Sequence, residues 1–163
     1  MFRSVIMGCV LTGLVMASPS SRAQDKEDSS DALKKDAEAF QGKWERVITT
    51  ETSALGKAKR AVKEFKDDTE TITWYDEKGG IIRSHRVTFK LSESGNVRVY
   101  TFSGMELLDA EGRVKGAKSK GSNATIYRIE KDKLVEAGGF IQGDTFRSST
   151  PYFAEWKKVV EQK

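Results

Sequence analysis

The chain has 163 residues, 37% hydrophobic and 32% charged, with 28 Lys and Arg against 24 Asp and Glu for a formal charge of +4. That length and a mean hydropathy of −0.54 fit one soluble domain and exclude a polytopic membrane protein or a collagen-like fibre. A single cysteine cannot close an internal disulfide, and a single histidine leaves little for most zinc sites.

The first stretch reads as a targeting segment. Met1 and Phe2 precede Arg3, and an apolar run from Val5 to Ala17 follows, broken only by Cys9, Thr12 and two glycines. A basic start, an apolar stretch of this length and a small-residue exit are the parts of a secretory signal peptide. The run is shorter than the roughly 20 apolar residues a membrane span needs, so no stable insertion is expected after cleavage. Ser21-Arg22-Ala23 places the cut after Ala23, with Ala17 as the other candidate. Ile6-Met7-Gly8-Cys9 has the form of a lipoprotein box, but too little of the apolar run precedes Cys9 for that processing. Residues 1–23 are therefore expected to be removed, for a periplasmic or extracellular product. What remains is 140 residues, no cysteine and 26 basic against 24 acidic side chains, a charge of +2.

Gln24–Ser30 is polar and acidic and is expected to be a flexible tether, with residues 24–35 forming tether and helix start. Asp31 or Ser30 caps a short helix over Ala32–Gln41, stopped by Gly42, with Leu33, Ala37 and Phe40 on one face. The texture then changes to short β-prone runs between turn residues. Strands are expected near Trp44–Thr52, Thr69–Tyr75, Ile81–Leu91, Val97–Phe102, Thr125–Ile129, Leu134–Ala137 and Phe153–Val160. A weaker one is expected near Val62–Phe65 or Ile141–Phe146, Ser53–Lys66 reads as helix or loop, and Gly104–Asn123 as a long polar loop. In Ile81–Leu91 one face carries Ile81, Val87, Phe89 and Leu91 together with Arg83 and His85, as an antiparallel sheet with one wet side requires. Seven or eight strands, one helix and no βαβ rhythm predict an all-β barrel or sandwich over residues 36–163.

Phe40-Gln41-Gly42-Lys43-Trp44, a helix end running through Gln-Gly-x-Trp into the first strand, resembles the entry of lipocalin-like barrels. More narrowly, Asp36 to Trp44 resembles the opening of a small secreted lipocalin-like domain of unknown function that is abundant in planctomycete bacteria. Val87-Thr88-Phe89-Lys90-Leu91, the Ile126–Leu134 hairpin and Glu155-Trp156-Lys157-Lys158-Val159 resemble its later strands in the same order. The resemblance implies a small antiparallel β-barrel of about seven or eight strands, preceded by a short helix. It also implies that Gly42 and Trp44 close one end, with Lys157 or Lys158 where the family has arginine. Independently of any family, Gly42 permits a sharp exit from the helix, and Trp44 can plug one barrel end under a stacked cation.

His85 and Arg83 share the apolar face of their strand, either as a polar pair at the barrel mouth that orients an anionic head group, or as solvated side chains where the strand leaves the core. Trp44, Ile72, Trp74, Tyr127, Ile129 and Trp156 either line a pocket for an apolar molecule or fill the core. No Gly-x-Ser-x-Gly elbow, cysteine nucleophile or metal-ligand spacing occurs, so neither enzyme activity nor a cofactor or metal is expected. Two basic clusters, Lys57, Lys59, Arg60, Lys63, Lys66 and then Arg113, Lys115, Lys118, Lys120, lack the aromatic interleaving of single-strand binders, so they read as solvated loops and no nucleic-acid partner is expected. The expected function is an exported binding module for a small hydrophobic or amphipathic ligand. The alternative is a structural or interaction domain of the cell envelope with a filled barrel.

Overall fold

The computed structural model describes residues 21–48, 56–141 and 151–160, and side chains over 31–48, 56–140 and 151–160. One helix, α1 (Ser21–Phe40), precedes nine strands: β1 (Gly42–Val47), β2 (Arg60–Lys66), β3 (Thr69–Tyr75), β4 (Ile81–Ser94), β5 (Val97–Leu108), β6 (Val114–Lys115), β7 (Ser122–Glu130), β8 (Lys133–Ile141) and β9 (Tyr152–Lys158). Every pairing is antiparallel. The order β4-β3-β2-β1-β9-β8-β7-β5, with β4 also bonded to β5, closes eight strands into a barrel and leaves β6 outside the ring on the end of β5. The expected small antiparallel barrel behind a helix is therefore the fold, and closure removes the exposed sheet edges of an open sandwich.

α1 crosses one end of the barrel and supplies its floor. Phe40, fully buried, is ringed by Phe65 at 4.9 Å and Tyr127 at 5.0 Å, both edge-on. Phe89 and Tyr100 stack near it at 6.0 and 5.9 Å. Gly42, at φ 100°, turns the chain from helix into β1 in a conformation other residues resist. Trp44 follows, fully buried, and its Nε1 donates back to the Phe40 carbonyl at 2.8 Å, satisfying one of the last helical carbonyls. Gln41 fastens the same corner to the β2–β3 turn, accepting from the Asp67 backbone N–H at 2.8 Å.

Three expectations about local structure are corrected. The helix starts at Ser21, not near Ala32, and runs through the stretch expected as a tether, since no glycine or proline interrupts Ser21–Phe40. The weaker strand expected near Val62–Phe65 is present, and residues 60–66 of the stretch read as helix or loop form β2, because Ala61, Lys63 and Phe65 alternate inward against Glu64 and Lys66 outward. The supposed polar loop Gly104–Asn123 contains the end of β5, the short β6 and the start of β7. There Asp109 organises the turn, accepting the backbone N–H groups of Glu111 and Arg113 at 3.0 and 2.8 Å. The parts of Trp44–Thr52 and Ile141–Phe146 beyond Ile48 and Ile141 lie outside the described residues.

Candidate functional site

Strand register arranges the inner wall in rows. Arg46, Ala61, Trp74 and Arg83 are paired in one row across β1–β4. The next row toward the floor is Trp44, Lys63, Ile72 and His85, and the next is Gly42, Phe65, Glu70 and Val87. On the opposite wall, Tyr127 pairs with Glu136 and Glu136 with Ala154, and the neighbouring row is Thr125, Gly138 and Tyr152. The period of two along each strand thus carries a lysine and two glutamates into the interior.

Lys63 is the centre of that polar layer. Its Nζ lies 2.6 Å from Glu136 and 3.1 Å from Glu70, and all three side chains are almost completely buried. Trp156 Nε1 donates to the second Glu136 oxygen at 3.0 Å. Aromatic faces complete the cage, with the ammonium 4.9 Å from the Trp156 ring and 5.5 Å from Tyr100. Burial works against the ammonium, but Glu136 and then Glu70 outweigh it and hold the Lys63 pKa above the ordinary lysine value. Glu70 is pushed up by burial, against the pull of Lys63 and with the push of Glu136. Two carboxylates against one ammonium is a composition that only a precise hydrogen-bonded geometry makes tolerable in a core.

Toward the end of the barrel away from α1 the wall stays polar. The Arg83 guanidinium lies 6.0 Å over the Trp74 ring, which in turn faces the His85 ring at 5.0 Å. Arg46 lies 5.7 Å over the Trp156 ring. His85 is only 8% exposed. Its Nδ1 and the Arg83 Nε are buried nitrogens without a hydrogen-bond partner among the described residues. Burial, then the charges of Arg83 and Lys63, depress the His85 pKa from 6.5 to about 4, so the ring is neutral at pH 7. Tyr152 closes the other side. Its ring lies so close over Gly138 that a Cβ there would overlap it, and Thr125 hydrogen-bonds its phenol.

The residues expected to line a site are therefore split between two places. Trp74, Arg83 and His85 come together toward the barrel end away from α1, with Ile72 paired beside His85 and Trp156 on the facing wall. The solvated alternative for His85 is overturned, because the strand has not left the core there. Trp44 and Tyr127 belong to the floor. Lys158 stacks 5.1 Å over Trp44 and donates to the Ala39 carbonyl at 2.9 Å, whereas Lys157 faces outward. Tyr127 spends its hydroxyl on Asp36 of α1 at 2.8 Å. Ile129 packs against the core from the same end. Of the first basic cluster, Lys63 is a core residue, while the second is exposed, with Arg113 paired to Asp109 and Glu111.

Sequence reasoning missed Lys63, Glu70, Glu136 and Arg46. The signal that could have found them is alternation: each shares parity with inward apolar neighbours, Ala61 and Phe65, Ile72 and Trp74, Leu134, or Trp44 and Ile48. Two clefts lined by described residues lie away from the row of Arg46, Trp74 and Arg83. One of about 350 Å3 runs between α1 and the β5–β7 wall past Asp36, Arg98 and Tyr127; the other, about 330 Å3, crosses the outer faces of β1–β3. No family model, curated protein or solved structure matches this chain.

Proposed function

We propose that this chain is an exported, non-enzymatic binding module of the secreted lipocalin-like kind, taking a small hydrophobic or amphipathic molecule at the open end of its barrel. The observation that carries the reading is the inward row of Arg46, Trp74 and Arg83, half-buried, with the unpartnered His85 Nδ1 and Arg83 Nε beside it. Buried polar groups without partners cost roughly 1–3 kcal/mol each, a cost that a bound molecule can relieve. Export rests on the leader pattern of Arg3, Val5–Ala17 and Ala23, and the family on the ordered motifs between Asp36 and Val159. The test is native mass spectrometry of the protein purified from its own host. A retained small molecule of constant mass supports the reading; a bare chain that also shows no saturable tryptophan quenching by fatty acids, retinoids, haem or small aromatic acids overturns it.

A second reading, a filled barrel acting in the cell envelope through its outer face, draws on a different feature. Phe140 and Phe153 sit 5.7 Å apart on the outer wall and are 52% and 69% exposed. That reading expects Phe153→Ser, or charge reversal at Lys115, Lys118 and Lys120, to weaken envelope retention; unchanged fractionation removes it.

A further inference from the structure

From the rows of the inner wall we infer that the barrel selects a compact aromatic carboxylate, seated on the row of Arg46, Trp74 and Arg83, and shuts out long acyl chains. This rests on the binding reading above and narrows it to a ligand class.

Charge is the first argument. Both inward glutamates are committed to Lys63, at 2.6 and 3.1 Å. Arg46 and Arg83 have no carboxylate partner among the described residues, where Arg46 meets the Trp156 ring and Arg83 the Trp74 ring and the Met105 sulfur. Among the described residues, this end of the barrel thus presents cations without counter-ions. His85, neutral and buried beside Arg83, can offer a hydrogen bond but no negative charge. A guanidinium pairs best with a carboxylate, whose two oxygens match its paired N–H groups.

Shape is the second. Arg83–Trp74 and Arg46–Trp156 are both cation–aromatic layers; Trp156 is buried, so half-buried Trp74 is the ring against which an aromatic ligand stacks. Ala61, the one small member of the row, lies between Arg46 and Trp74. Depth is the third. One row below, Trp44, Lys63, Ile72 and His85 are 0%, 6%, 5% and 8% exposed, and the aromatic floor around Phe40 follows. A long chain that anchored its head at Arg83 would meet this packed row with its tail, whereas a ring of one or two cycles stays above it.

The test titrates the purified protein with 1-naphthoate, its uncharged analogue 1-naphthamide, and palmitate, following tryptophan fluorescence and heat. Saturable naphthoate binding is expected, with naphthamide weaker by about tenfold or more, as loss of a charged pairing implies. Palmitate is expected neither to bind nor to displace naphthoate. Arg83→Gln should weaken naphthoate by a similar factor and naphthamide by much less. Equal affinity for naphthoate and naphthamide overturns the carboxylate specificity, and displacement by palmitate overturns the size limit. In both cases the binding reading stands. Failure of all three probes, together with a bare chain by native mass spectrometry, overturns both.

Discussion

Lys63 occupies a position that an apolar residue would fill in a simpler barrel, and its two carboxylate partners are separated from it by 7 and 73 residues along the chain. Such a cluster adds little net stability but makes its own disruption expensive, because each member leaves a buried charge behind. Lys63→Met should therefore cost about 3–5 kcal/mol in urea unfolding, since Glu70 and Glu136 would face each other unpaired. Adding Glu70→Gln and Glu136→Gln to the same chain should restore most of that loss; a triple variant as unstable as the single one would mean that packing, not charge, sets the cost. Gly138 makes a second demand at this scale. Its backbone is close against the Tyr152 ring, so Gly138→Ala forces the ring away. Overpacking of this kind costs about 1–3 kcal/mol, and the loss should vanish in a Tyr152→Ala background, where the clash partner is gone.

Among the elements, α1 is tied to the barrel through its last turn. Phe40 enters the aromatic floor, Ala39 and Phe40 offer carbonyls to Lys158 and Trp44, and Asp36 takes the Tyr127 hydroxyl while lying 3.7 Å from Arg98. Phe40→Ala should accordingly lower stability by about 3–5 kcal/mol, the range for emptying an aromatic site in a core. Tyr127→Phe, which keeps the ring and loses one partly buried hydrogen bond, should cost only about 1 kcal/mol by the same thermal or urea measurement. The floor was legible in the sequence because its signals are local: a helix stop at Gly42, a tryptophan two residues later, and a lysine pair in the closing strand. So were the strands bounded by strong turns, such as β3 and β4 around Asp76–Gly80. β2 was legible only as a weaker strand near Val62–Phe65, because its lysines read as a basic surface until pairing with β1 and β3 turned Lys63 inward. The β5–β7 connection was obscured by its polarity, which belongs to a hairpin lying outside the ring. The interior cluster was least legible, since a buried charge is betrayed only by its partners, and those come from β3 and β8.

At the scale of the whole molecule, the barrel runs from an apolar floor through an ion-paired waist to a cationic mouth, and this gradient makes its stability depend on pH through His85. The groups that face the ring are Arg83 on its own strand and Lys63 from β2, the latter backed by Glu70 and Glu136. Burial and these two cations hold the folded-state pKa at about 4, against 6.5 for the free side chain. Between those values the unfolded chain binds a proton at His85 that the folded chain refuses, so stability must fall as pH drops from 6.5 toward 4. The full span of that shift corresponds to roughly 3 kcal/mol. Glu70 opposes it: its raised pKa means the folded state binds the extra proton there, a contribution present at low pH and lost as pH rises through its folded value. The two are separated by subtraction. In urea unfolding from pH 7.5 to 4.0, the stability difference between the wild-type chain and His85→Gln should shrink progressively below about pH 6.5. A constant difference would mean that His85 carries its proton in the folded barrel, and would place a negative charge beside it that the described residues do not supply. Bound naphthoate would supply one, so a saturating amount should flatten the same profile by raising the His85 pKa in the folded state.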